Sequence, residues 1–201
     1  SLRHGPWIYY YDDDKVASHG LYTKGFFDGT WEHYHSNGKL KEVDEWVDGK
    51  LYEITSQFDK NGAKLKKGSL SKGTGTVLEY AEDGKQHKTI EYYNGLKHGI
   101  STEYYLDDIS TPKSIVNYYE NVPQGKWYDY YPHGEVRSEG YHYLNDLDST
   151  YIEYFASGDT ATLGYYIDGE MDSLWRYFYD NGVLQQIGYY YQDKKEGYWV
   201  E

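Results

Sequence analysis

Cysteine is absent from this chain of 201 residues, which excludes disulfides and thiolate-bound metals and leaves the redox compartment unread. Proline stands only four times and methionine once. Leucine, isoleucine and valine are few beside the aromatics, so a branched-aliphatic core of the usual kind is not expected. Basic residues are the minority. Lys and Arg number 20 against 33 Asp and Glu, a formal net charge of −13. An acidic chain repels phosphate backbones, which argues against a nucleic-acid partner and for a basic one. No apolar run reaches the length of a membrane-spanning helix, and no signal peptide is recognisable. The first residue is Ser1 and not Met. The expectation is that the start has been removed, by processing or by design, and that a signal sequence could have gone with it.

What is abundant is the aromatic ring: 28 Tyr, 6 Trp and 5 Phe, 19% of the chain. Disordered chains are poor in aromatics, so a folded chain is expected despite its polarity. Tyrosine must then supply much of the buried surface, with each hydroxyl wet or hydrogen-bonded.

The rings recur. Taking Gly5, Gly29, Glu53, Gly75, Gly99, Gly125, Ser149, Ser173 and Gly197 as unit starts, six of the eight steps are 24 residues, one is 22 and one is 26. Five residues into the first eight units stand Tyr10, Tyr34, Phe58, Tyr80, Tyr104, Tyr130, Tyr154 and Phe178, all aromatic. Nine residues in stand Asp14, Gly38, Gly62, Gly84, Asp108, Gly134, Gly158 and Gly182. Two independent columns over eight units define an internal repeat. Each unit reads as two strands and two turns. "WEHYH" (31–35) favours a strand. The Asn-Gly and Asp-Gly pairs at 61–62, 181–182, 48–49 and 168–169 are hairpin signals. No segment sustains helical spacing. Hairpins in series predict an all-β fold: an elongated antiparallel hairpin array spanning 1–201 as one domain, a single-layer sheet or solenoid. Eight units and a terminal half unit make about seventeen strands.

Gly125, Trp127, Tyr130, Tyr131 and Gly134 resemble the MORN repeat, in its bacterial variant. So do Gly5, Trp7, Tyr10 and Tyr11, and Gly29, Trp31, Tyr34 and Gly38. The resemblance runs the length of the chain and implies a β-hairpin array. It also implies a bacterial source, cytoplasmic or exported, and a scaffold for protein contacts, sometimes lipid contacts; many bacterial relatives are described as antitoxin-like. Thr55, Val77 and Ser101 depart from it by replacing the tryptophan, and two extra residues fall around 106–114.

Catalytic chemistry is not expected. "KGTGTVLEYAEDG" (72–84) lacks the Lys-Ser/Thr pair of a phosphate-binding loop, and no nucleophile elbow is found. His33 and His35 share a strand face beside Glu32. A metal site is one reading, but the repeat places no third ligand, and the plainer reading is that they replace the tyrosines of other units. Carboxylates at 12–14 and 107–108 are read as turn formers before a calcium site. No metal ligand and no cofactor is therefore expected. The candidate binding surface is the column Trp7, Trp31, Trp127, Tyr151, Trp175 and Trp199. Its rings either pack on the neighbouring unit, the favoured reading, or grip something outside.

The expected function is a non-enzymatic scaffold for a protein partner, with a basic one favoured. The alternatives are a carbohydrate or cell-wall binding module using the aromatic columns and, by family analogy alone, an antitoxin-like component. Tyr198 and Trp199 in the terminal half unit raise the expectation of edge-to-edge self-association.

Overall fold

The structure is a computed structural model that describes residues 2–201, and among these it holds sixteen strands and no helix. The first five strands are β1 (Gly5–Tyr10), β2 (Val16–Thr23), β3 (Phe26–Tyr34), β4 (Leu40–Val47) and β5 (Lys50–Gln57). Next come β6 (Gly75–Tyr80), β7 (Gln86–Tyr93), β8 (Leu96–Tyr105), β9 (Asp108–Tyr119), β10 (Val122–Tyr130) and β11 (Val136–Tyr143). The last are β12 (Asp146–Tyr154), β13 (Thr160–Ile167), β14 (Glu170–Phe178), β15 (Leu184–Tyr191) and β16 (Lys194–Val200). They form two sheets, β1 to β5 and β6 to β16, each in sequence order, and neither closes into a barrel. Two compact units divide the chain, one up to Gly99 and the other from Ile100 to Glu201.

The hairpin series is present, one strand short of the expected seventeen. The missing strand belongs to the third unit. Between β5 and β6 the chain makes only the isolated bridges Phe58↔Lys64, Gly68↔Val77 and Ser71↔Thr74. No aromatic stands between Phe58 and Tyr80, and five lysines do. Without rings to pair across strands, the ladder loses its main side-chain support, and the first sheet ends there.

The repeat frame is shifted relative to the strands. Gly5 and Gly75 begin strands, but the other unit-start residues lie inside them. Gly29 lies inside β3 at φ +70°, and Gly99 and Gly125 lie inside β8 and β10 at +96° and +101°. These are left-handed values that glycine adopts without penalty, which is why glycine fills most of that column. Ser149 and Ser173 hold the same conformation, at +67° and +62°, against their preference. The two turns of a unit also differ. Asp168 and Gly169 both have positive φ, as a two-residue type I′ hairpin requires. At Asn181-Gly182 only Gly182 does, and Tyr179 and Val183 close the loop by a 2.9 Å backbone bond. That is the longer turn with a left-handed glycine, and the Asn181 side chain accepts the Val183 N–H within it.

A small aliphatic core does exist in the compact unit that ends at Gly99, against expectation. Leu51, Ile54, Leu70 and Val77 are buried together, with Trp46 and Tyr92 packed on them. It occupies the stretch in which Thr55 and Val77 stand where other units have tryptophan, so branched side chains fill the space the rings leave.

Candidate functional site

The tryptophan column is built across unit boundaries. Trp31 has no exposed surface and Trp175 is 2% exposed. Each presses its ring on a glycine of the preceding strand: a Cβ at Gly20 would stand 2.2 Å from Trp31, and one at Gly164 2.2 Å from Trp175. Gly188 meets Trp199 at the same distance. Trp31 is edge-on to Tyr22 at 5.4 Å and lies 4.1 Å from Phe27, and its indole N–H donates to the Leu21 carbonyl. Trp175 is stacked on Tyr151 at 5.9 Å and edge-on to Tyr166 at 5.2 Å, with its N–H on the Asp172 carbonyl. Such ring pairs add about 0.5–1.5 kcal/mol each beyond the area they bury.

The other members of the column are less enclosed. Trp7 is 37% exposed, with the Arg3 guanidinium 4.9 Å from its ring. Trp127, Tyr151 and Trp199 are half-buried, and Lys195 lies 4.1 Å from the Trp199 ring. The column therefore divides: Trp31 and Trp175 have no surface left to offer, and Trp7 retains some. Burial also holds the Tyr151 phenol up, to a pKa of about 12.

A second aromatic surface was not singled out from the sequence. In β11, β13 and β15 the residues alternate between faces. Gly140, Gly164 and Gly188 turn to the tryptophans. Their neighbours Tyr141, Tyr165 and Tyr189, and two further along Tyr143, Ile167 and Tyr191, turn away and are exposed, Tyr191 by 56%. The same two rows recur on every second strand, a spacing of about 9.6 Å. The signal was present in "GYHYL" and "GYYYQ" (140–144, 188–192), where the rings outnumber one face. On this outer face the Tyr154 hydroxyl donates to Glu139 at 2.7 Å.

The two histidines have different fates. His35 is buried and its Nε2 lies 2.9 Å from the Phe58 carbonyl oxygen. The hydroxyls of Tyr11, Tyr105 and Tyr131 donate to the carbonyls of Tyr34, Tyr130 and Tyr154 in the corresponding places, at 2.6, 2.6 and 2.8 Å. His35 thus takes a tyrosine's role. His33 does not. Its Nε2 lies 3.2 Å from Asp44 Oδ2, and His33, Glu42 and Asp44 bring their ligating atoms within 4.8 Å of one another. The sequence reading lacked a third ligand; pairing of β3 with β4 supplies two. Burial works against the charge of His33, but the Asp44 hydrogen bond and the charges of Asp44 and Glu42 outweigh it and raise its pKa. Burial pushes the Glu42 carboxyl up, partly offset by the hydrogen bond from Gln57.

At the acidic turns, Asp13 pairs with Lys15, and Asp108 accepts from the Ser110 N–H and from the hydroxyls of Ser110 and Thr111. Their oxygens are engaged in local turn chemistry.

Four segments, residues 3–24, 27–48, 123–145 and 171–193, match the MORN repeat variant family. Four of its repeats are therefore similar to MORN repeat variants. The matched segments are those carrying Trp7, Trp31, Trp127 and Trp175. Of the units between them, those with Val77, Ser101 and Tyr151 at that place keep both strands, and the one with Thr55 keeps only the first. No curated protein matches the chain. No helix is long and apolar enough to cross a membrane among the described residues.

Proposed function

We propose that this MORN-variant array is a non-enzymatic scaffold that binds a basic protein partner through the exposed rings of β11, β13 and β15. The observation that carries this reading is the repeated outer pair: Tyr141 and Tyr143, Tyr165 and Ile167, Tyr189 and Tyr191, all exposed. Large exposed apolar patches on soluble chains mark interaction sites, and tyrosine is among the residues that dominate binding energy at interfaces. The formal charge of −13 favours a basic partner and speeds its approach.

The test compares Tyr165→Ser/Tyr189→Ser with the parent chain. Both side chains point away from the packed face, so the melting temperature should hold. Capture from lysate should lose one or more partners in the double variant, and those partners should bind less in high salt. An unchanged capture profile would sink the reading. Binding of a glycan array by the parent, lost in the same variant, would transfer the surface to a carbohydrate ligand.

A further inference from the structure

We propose that His33, Glu42 and Asp44, with the side-chain carbonyl of Gln57, form a binding site for a divalent transition-metal ion of the zinc class. The strand register assembles the set. His33 of β3 pairs directly with Glu42 of β4, and Glu42 pairs with Gln57 of β5. These three form one row across the sheet, and Asp44, two residues beyond Glu42, stands on the same face.

Two of the four carry oxygen atoms with nothing to bind. Asp44 is 3% exposed and Gln57 4%. Asp44 Oδ2 is held by His33, yet Asp44 Oδ1 is buried without a hydrogen-bond partner. Gln57 gives its Nε2 hydrogens to Glu42 and to the Leu78 carbonyl, yet its Oε1 is likewise buried and unpartnered. A buried carboxylate oxygen or amide carbonyl with no partner is destabilising. Both orphans belong to groups already fixed to the cluster by their other atom, so a cation there would engage them.

The position of Asp44 strengthens the case. Fifteen residues into a unit, five other units have Gly20, Gly68, Gly140, Gly164 and Gly188. Trp127 lies against Gly140 from its own unit, and a tryptophan of the following unit covers Gly20, Gly164 and Gly188. In the third unit Thr55 replaces that tryptophan, which frees room for a side chain at 44. The fourth unit has Ile90 at that place, buried, and the unit after it has Ser101 where others have tryptophan. An apolar filler is thus available within the same chain, and packing does not require a carboxylate. A role as ligand does.

One imidazole nitrogen with two carboxylates and an amide oxygen suits zinc-class ions, whereas calcium and magnesium prefer oxygen alone. Tetrahedral zinc at bonds of about 2.0 Å sets its ligand atoms roughly 3.3 Å apart, close to the 3.2 Å between His33 and Asp44. Glu42 is the ligand with room to move in. It stands with His33 and Gln57 in the wall of a cavity of about 250 Å³ that opens to solvent, which gives an ion its entry.

The experiment titrates Zn²⁺ into the EDTA-treated, dialysed full chain by calorimetry, and follows the imidazole nitrogens of His33 by NMR. The expected result is saturation at His33 by one equivalent, with a shift of its ring nitrogens. Asp44→Asn and His33→Gln should each weaken that binding by at least about tenfold, while His35→Tyr leaves it unchanged. The NMR readout uses the parent chain, so it stands even if a variant fails to fold. Absence of a His33 shift at one equivalent, or wild-type affinity in a folded His33→Gln, overturns the proposal.

Discussion

Gly164→Ala adds one methyl group, and its effect should depend on a residue in the next unit. The backbone at Gly164 is not in the left-handed region, so alanine meets no conformational strain there. What it meets is the Trp175 ring, 2.2 Å from the new Cβ. Ordinary carbon contacts lie near ~3.5 Å, so the ring must retreat by more than about 1 Å. It has little room, being wedged among Tyr151, Tyr166, Tyr177 and Tyr190. Overpacking of this kind costs about 1–3 kcal/mol, or roughly 2–4 °C of melting temperature per kcal/mol for a chain of this length. Trp175→Ala alone should cost about 3–5 kcal/mol. In that background the ring is gone, and Gly164→Ala should stabilise by about 0.4–1 kcal/mol through the unfolded chain. The sign of one substitution therefore reverses. Urea midpoints of the parent, both single variants and the double variant, followed by circular dichroism, give the cycle. The reasoning fails if Gly164→Ala is as stable as the parent, or if its effect is equal in the two backgrounds.

His35→Tyr should keep or raise stability, because tyrosine makes the same bond to the next unit at three other places. His35→Ala should cost about 1–3 kcal/mol by leaving the Phe58 carbonyl without that partner; a His35→Tyr variant as unstable as His35→Ala would refute the equivalence. Alkali should act through the phenols. The hydrogen bond to Glu32 and burial raise Tyr34 to about 12, and burial, with the bond to Glu139, does the same for Tyr154. A pKa raised in the fold means that its contribution is complete below the unfolded value of about 10 and is lost as pH climbs towards 12. Phenolate absorbance should show a late-ionising set whose release accompanies unfolding. A single reversible step near pH 10 for all tyrosines would contradict this.

Much of the fold was legible because the turns and rings repeat. Tyr10 to Phe178 and Gly38 to Gly182 carry the period on their face, and a period-two strand between two turns admits few folds. The lost strand of the third unit was less legible. The lysine-rich run from Lys60 to Lys72 kept the turn glycine of the repeat at Gly62 while dropping its rings, and a turn signal alone does not hold a ladder together. Of the candidate surface, the column was visible but not its division, since burial of Trp31 and Trp175 depends on glycines in the preceding strand. The His33 cluster was invisible for a related reason. Glu42 and Asp44 lie nine and eleven residues away in sequence and become neighbours only through the β3–β4 register, which a bulge between His33 and Tyr34 displaces by one residue.

The seam between units is written half on one side and half on the other. At Gly20, Gly164 and Gly188 a glycine late in one hairpin presupposes a tryptophan early in the next, and Asp44 presupposes Thr55. The hairpin is thus not the portable part. Cutting and rejoining the array at its turns would preserve every strand yet could set Asp44 under an incoming indole, or leave Gly188 beneath nothing. The exchangeable block instead runs from the middle of one hairpin to the middle of the next, so that each ring travels with the space made for it.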